Sequence, residues 1–216
     1  MVSKYELAVK MEKMGYFLVA FPLFKECLDD RNYDYGDLLF HCGWCTESTE
    51  IADKQLALSY YKKAAKEAAH PICKMNSSFR AGWILMHLNN NTDAIEWLKN
   101  AVEIGHSEGE FNSIYTEALY WCAVALEAES RYLDAINLYR AVKGISDQLN
   151  PESRYREIIS LIAIGNYSEA YSLCNTFSEP VPGGFSEERY EELKKLVKKE
   201  RDILEYSFND DTYFSN

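Results

Sequence analysis

The chain has 216 residues, is 47% hydrophobic and carries a formal net charge of −11. A chain of that size can bury about 70% of its unfolded surface without disulfides or metal, and its acidity speaks against a phosphate-backbone ligand, which needs clustered Lys and Arg. No run of about 18 apolar residues occurs, so no membrane span is expected.

From the N-terminus, "GYFLVAFPLF" is preceded by Glu6 and Glu12 and followed by no small-residue cleavage site. It therefore reads as part of the fold and not as a secretory signal. It also opens the first of five segments that can be laid over one another: "GYFLVAFPLFKECL", "DKQLALSYYKKAA", "NTDAIEWLKNAV", "SRYLDAINLYRAV" and "GNYSEAYSLCNTF". Each has an alanine, Ala20, Ala57, Ala94, Ala135 or Ala170, at successive spacings of 37, 37, 41 and 35 residues. Four residues after each comes a bulky or apolar residue, Phe24, Tyr61, Leu98, Tyr139 or Cys174. Positions i and i+4 share a helix face, so the pair makes one stripe: the alanine admits a neighbouring helix and the larger residue fills the space beside it. Pro22 falls in the first turns of its helix and is expected to delay or kink it.

Upstream of three segments lies a second amphipathic stretch, clearest in "SSFRAGWILMHL" and "TEALYWCAVALEAE". Gly82 and Ala123 each stand twelve residues before a repeat alanine. Glycine inside a helix costs about 1 kcal/mol relative to alanine, so Gly82 predicts a close approach of two backbones. A period of this length suits one helix pair per repeat.

These segments, best in "GNYSEAY" and "SRYLDAINLY", resemble the tetratricopeptide repeat. "ALSYYKKAAKEAAHP" and "AIEWLKNAVEIGHSEGEF" lean toward the related Sel1-like repeat, in which a helix ends in Gly-His. The resemblance implies an all-α, right-handed α-solenoid of about five helix pairs over residues 1–178. "EPVPGG", residues 179–184, reads as a linker turn, and 185–207 as a C-terminal capping helix with Ser186 as N-cap and a Glu191–Lys195 i,i+4 pair. Residues 208–216 read as a flexible tail.

"HCGWC" places Cys42 and Cys45 where the first helix of the second repeat is expected, and "HPIC" adds His70 and Cys73. Two such pairs could close a tetrahedral zinc site. Cysteines three apart on a helix also form one buried stripe, and no strand precedes the pair as a redox Cys-x-x-Cys requires. Packing is the preferred reading, with no cofactor; a zinc- or redox-responsive protein is the alternative. The six scattered cysteines suit a reducing cytoplasm. No Gly-rich phosphate loop, Gly-x-Ser-x-Gly or His-Glu-x-x-His occurs, so no enzyme is expected. His106 follows Gly105 at a predicted helix end, where a histidine suits the dipole.

In the family, the first helix of each repeat lines a concave groove. That register implies partner-binding positions at Tyr5 and Val9; at Asn76, Phe79, Arg80, Trp83 and His87; at Glu117, Tyr120, Val124 and Glu127; and at Tyr155 and Ile159. The family's carboxylate clamp is not expected, because only Arg80 matches it, while Val9 and Gly43 stand where asparagines belong. The implied function is a non-catalytic interaction module for a peptide or helix of a basic protein partner, as an immunity protein, chaperone or adaptor. A self-assembling scaffold is a further alternative, and the oligomeric state is open.

Overall fold

The computed structural model describes residues 2–49, 53–146, 149–177 and 185–209. Among them are eleven helices and no strand: α1 Lys4–Lys13, α2 Phe17–Cys27, α3 Tyr35–Glu47, α4 Lys54–Glu67, α5 Pro71–His87, α6 Asn91–Glu108, α7 Ser113–Ala128, α8 Tyr132–Lys143, α9 Asn150–Ala163, α10 Tyr167–Asn175 and α11 Glu187–Asn209. None of the described helices is long and apolar enough to cross a membrane. The chain divides into two compact units, Met1–Ala118 and Leu119–Asn216.

The helices start where short polar side chains can accept from free backbone donors. Ser3 and Glu6 form a reciprocal capping box, Asp34 accepts from Asp37 N at 2.9 Å and Asp53 from Leu56 N at 2.9 Å. Pro71 and Pro151 sit in the first turns of α5 and α9, where a missing N–H leaves no helical bond unmade.

The turns inside four hairpins share one device. Gly15, Asn89, Ser130 and Gly165, each five residues before a repeat alanine, have φ of +80°, +57°, +59° and +77°. The residue after each donates to the carbonyl five positions back, at 2.8–2.9 Å: Tyr16 to Met11, Asn90 to Leu85, Arg131 to Leu126 and Asn166 to Leu161. This left-handed closure satisfies carbonyls that the ending helix would leave bare and turns the chain into the second helix.

The five repeat alanines are fully buried, as are Phe24, Tyr61, Leu98 and Tyr139, with Cys174 5% exposed. Each buried large side chain contributes about 1.5–3 kcal/mol of transfer free energy. In the first unit, Ala8, Ala20, Phe24, Cys27, Leu38, Cys42 and Cys45 form one cluster. A Cβ at Gly82 would stand 2.6 Å from Leu98 Cγ and 3.2 Å from the Ala94 carbonyl oxygen, so α5 and α6 do approach as closely as the glycine predicts. In the second unit the core joins Ile136, Ile158, Leu161, Ala170 and Cys174 to Tyr190, Leu193, Val197 and Leu204 of α11. Ser186 accepts from Arg189 N at 3.3 Å at the start of that helix.

One local expectation is narrowed and another corrected. Pro22 does not delay α2, which begins at Phe17; the proline is exposed and leaves the Leu18 carbonyl without a donor on the face where Leu18 itself is 78% exposed, so water can satisfy it. α6 does not end at Gly105: it runs to Glu108 and stops at Gly109, φ +69°. Gly105 is there for space, since a Cβ would meet the Tyr115 ring at 2.6 Å and the Met75 sulfur at 3.0 Å. His106 remains in the last turn, where the dipole favours a cation. The expected linker 179–184 and most of the tail 208–216 lie outside the described residues.

Candidate functional site

The first helices of successive hairpins are tied by a repeating polar contact. In the first unit, Glu12 of α1 meets His41 Nδ1 of α3 at 2.9 Å. One repeat on, Glu47 of α3 accepts from Arg80 of α5 through two of its guanidinium nitrogens, Nε at 3.0 Å and Nη2. Tyr61, the large residue of the intervening α4, donates its hydroxyl to the same carboxylate at 2.8 Å. In the second unit, Glu127 of α7 accepts from Arg156 of α9 at 3.0 Å and from Tyr139 of α8 at 2.7 Å. The first contact replaces the tyrosine by Phe24, whose ring stacks on His41 with centroids 4.6 Å apart. Met86 of the third repeat and Trp121 of the fourth hold the corresponding sequence positions of the next pair, and neither is charged.

In the first unit this contact organises a surface. The Arg80 guanidinium lies 5.0 Å from the Trp44 ring centroid and 4.8 Å from that of Trp83. His87, exposed, packs on Trp83 with ring centroids 3.8 Å apart. Both tryptophans remain partly exposed. Arg80 is thus held between two aromatic faces with its charge matched by Glu47, an arrangement that Lys could not reproduce because only the planar fork both stacks and binds a carboxylate twice.

Several predicted binding positions serve other ends. Phe79 and Tyr120, only 2% and 8% exposed, are packing residues. Arg80 and Glu127 are engaged in the polar contacts above, so neither is free to orient a ligand. Tyr155 packs against the second unit's core. Tyr5 donates to Asp37 at 3.1 Å and stacks on Tyr33 at 4.7 Å; burial and the Asp37 charge push its pKa up to about 12. Trp83, His87, Asn76 and Glu117 stay at the surface or partly so. Burial raises the Glu117 carboxyl above its ordinary pKa, against the pull of the Arg80 charge, and no described group hydrogen-bonds it.

Trp44, Glu12, Glu47, His41 and Arg156 escaped the sequence reading. A signal existed: in α1 and α7 a glutamate follows the small first-helix residue by four (Glu12 after Ala8, Glu127 after Ala123), and in α5 and α9 an arginine stands two residues before the equivalent position (Arg80, Arg156).

The cysteines belong to packing. Cys42 and Cys45 are fully buried in the α1–α3 cluster, whereas His70 is exposed and Cys73 half-buried at a cavity wall. The four side chains do not come together as a zinc site, and no three His, Cys, Asp or Glu among the described residues are grouped to hold a metal. Burial pushes the Cys42 thiol up to about 12 and Cys73 to about 11, which disfavours the thiolate, the reactive form.

No family model matches the chain, and no curated protein matches it. Among solved structures it is similar to YrrB, described as a tetratricopeptide-repeat protein with an unusual peptide-binding site: TM-score 0.66, 13% identity, covering 95% of this chain and 90% of that one. It is similar also to MamA of AMB-1, TM-score 0.61 and 15% identity over 81% of this chain and 95% of that one. A third is a Podosopora anserina putative kinesin light chain with nearly identical TPR-like repeats: TM-score 0.58, 15% identity, 91% of this chain and 93% of that one. Such identities speak to the fold alone. Together with the buried alanine stripe and the repeated hairpin turns, they give this chain the fold of a tetratricopeptide-repeat protein.

Proposed function

We propose that the chain is a non-catalytic interaction module that binds an extended peptide or a helix of a protein partner on the first unit's α1, α3 and α5 and the start of α7. The observation that carries this reading is the Trp44–Arg80–Trp83 stack. It offers rigid, partly exposed aromatic area whose one cation is already neutralised by Glu47, so covering it strands no charge. The peptide-binding site for which YrrB is described supports the same use of the fold. The net charge of −11 and Glu117, which no described group hydrogen-bonds, favour a basic partner, steered by long-range attraction. A neutralising role, as an immunity protein or a chaperone-adaptor, suits that acidity, and six free cysteines suit the cytoplasm.

The test is selection of peptides from a random display library followed by calorimetry. Trp83→Ala and Trp44→Ala should each weaken the best binder at least tenfold, about 1.4 kcal/mol, whereas Tyr206→Ser, on the exposed side of α11, should leave it unchanged. Binding indifferent to both tryptophans sinks the reading.

The outer face of α2 favours a second reading, self-association. It exposes Leu18 (78%), Val19 (51%) and Pro22, where Asp93, Asp134 and Glu169 hold the place of Val19 in later repeats. Sedimentation that does not change with concentration would exclude it; Leu18→Lys should abolish any association seen.

A further inference from the structure

The first unit holds a cavity of about 440 Å³ between the starts of α3 and α5, walled chiefly by Asp34, Asp37, Phe40, His41, Ile72 and Asn76. No lysine or arginine lines it. Asp34 directs its oxygens to the backbone N–H groups of Asp37 (2.9 Å) and Ala69 (2.8 Å). Burial pushes its pKa up, but those donors and the Gly36 N–H prevail, and it lies below the ordinary value, charged at neutral pH. Asp37 accepts from Tyr5 Oη and lies 3.7 Å from His41 Nε2, with its side chain 39% exposed. Asn76, from the facing helix, has a buried Oδ1 with no hydrogen-bond partner. A buried acceptor left unmade costs about 1–3 kcal/mol, and the amide torsion is soft enough to turn that oxygen onto an entering donor. Acceptors are therefore in excess, and Phe40 and Ile72 supply apolar wall for a methylene stem.

Asp37 and Asn76 stand at one register, six residues before Gly43 and Gly82, and the chain repeats an acceptor there at Glu117 and Glu152. Glu152 is taken by Arg189 at 2.6 Å. We propose that the cavity between α3 and α5 takes a basic side chain, lysine or arginine, of the bound partner peptide, with Asp37 and Asn76 as its acceptors. This rests on the peptide-binding reading above and adds where the basic residue seats. The volume is within the range of pockets that hold a side chain or small ligand.

The test is an amide-resolved NMR titration of the full chain with three blocked single residues: N-acetyl-arginine methylamide, N-acetyl-lysine methylamide and N-acetyl-norleucine methylamide. Saturable shifts at residues 34–41 and 70–76 are expected for the two cations and not for norleucine. Asp37→Asn, which keeps an acceptor for Tyr5, should weaken the cation about tenfold; Asn76→Leu, similar in shape, should weaken it severalfold and stands in if Asp37→Asn disturbs the fold. Shifts elsewhere, equal shifts with norleucine, or indifference to both variants overturn the proposal. A selected peptide that needs Trp83 but no basic residue would sink this subsite and spare the groove. Failure to select any peptide, with these small probes still binding, would do the reverse.

Discussion

The two units use the same contact to different ends. In the second, the Glu127–Arg156–Tyr139 contact is joined by Tyr120, which accepts from Arg156 at 3.2 Å, and the acceptor at the repeated register, Glu152, is paired with Arg189 of α11. Inside α9, however, Asn150 Oδ1, Ser153 Oγ, Glu157 Oε2 and Ser160 Oγ are buried with no hydrogen-bond partner among the described residues. In the first unit the Glu47–Arg80–Tyr61 contact lies between two partly exposed tryptophans, while Asn76 and Glu117, at the same register as Glu152, have no hydrogen-bonding partner among the described residues. The shared contact thus fronts partly exposed aromatic faces in the first unit, whereas the unmet acceptors of the second sit within the packing of α9, with Ser153, Glu157 and Ser160 at most 2% exposed, so the proposed ligand face belongs to the first unit.

The largest expected effect comes from breaking the two contacts in parallel. Glu47→Ala strands a guanidinium and a buried tyrosine hydroxyl and should cost about 3–5 kcal/mol. Glu127→Ala, where the glutamate and Arg156 side chains are 20% and 33% exposed against 9% and 20% for Glu47 and Arg80, should cost about 2 kcal/mol. Native-state hydrogen exchange on α4 and α8 reads each unit separately, which a single melting curve of a repeat protein does not. Equal losses would break the comparison. Asp34→Ala removes a cap and should cost about 1–2 kcal/mol at pH 7. Because the folded pKa of Asp34 is depressed, its contribution is complete above the ordinary value of 3.8 and is lost as pH falls through the folded value, so mutant and parent should converge in acid.

Glu117→Gln should act in the opposite sense. A raised folded pKa means that ionisation opposes folding: the penalty is absent well below the ordinary 4.5 and complete once pH exceeds the folded value. The variant should therefore be slightly more stable than the parent at pH 7 and equal to it near pH 3 by chemical denaturation, while binding basic peptides more weakly. Loss of stability at pH 7 would mean that the carboxylate is structural. Smallest of all, Ser130→Gly relieves a left-handed serine at a turn that two sister repeats build on glycine, a gain of at most about 1 kcal/mol on α7–α8.

Much of the architecture was legible because it is periodic. Alanine with a large residue four positions later repeats five times, and local propensity, helix geometry and burial all ask for the same thing at those places, so Ala20 to Ala170 could be read as buried from their spacing. Gly82 was legible for the same reason: a helix tolerates glycine there only if space demands it. The end of α6 was misread because Gly105 and Gly109 look alike in sequence; one answers to Tyr115 and Met75 from other helices and the other to its own backbone.

The proposed binding face was less legible. Register placed Trp83 and Asn76 correctly on the first helices but could not say that Phe79 and Tyr120 turn inward, or that Arg80 is claimed by Glu47, 33 residues away. Residue type and spacing determine which face of a helix is apolar, since that depends on neighbours three and four positions along the chain. Which polar side chains are paired and which are left open depends on contacts between different helices, 12 to 37 residues apart in the chain, and only the tertiary packing decides it.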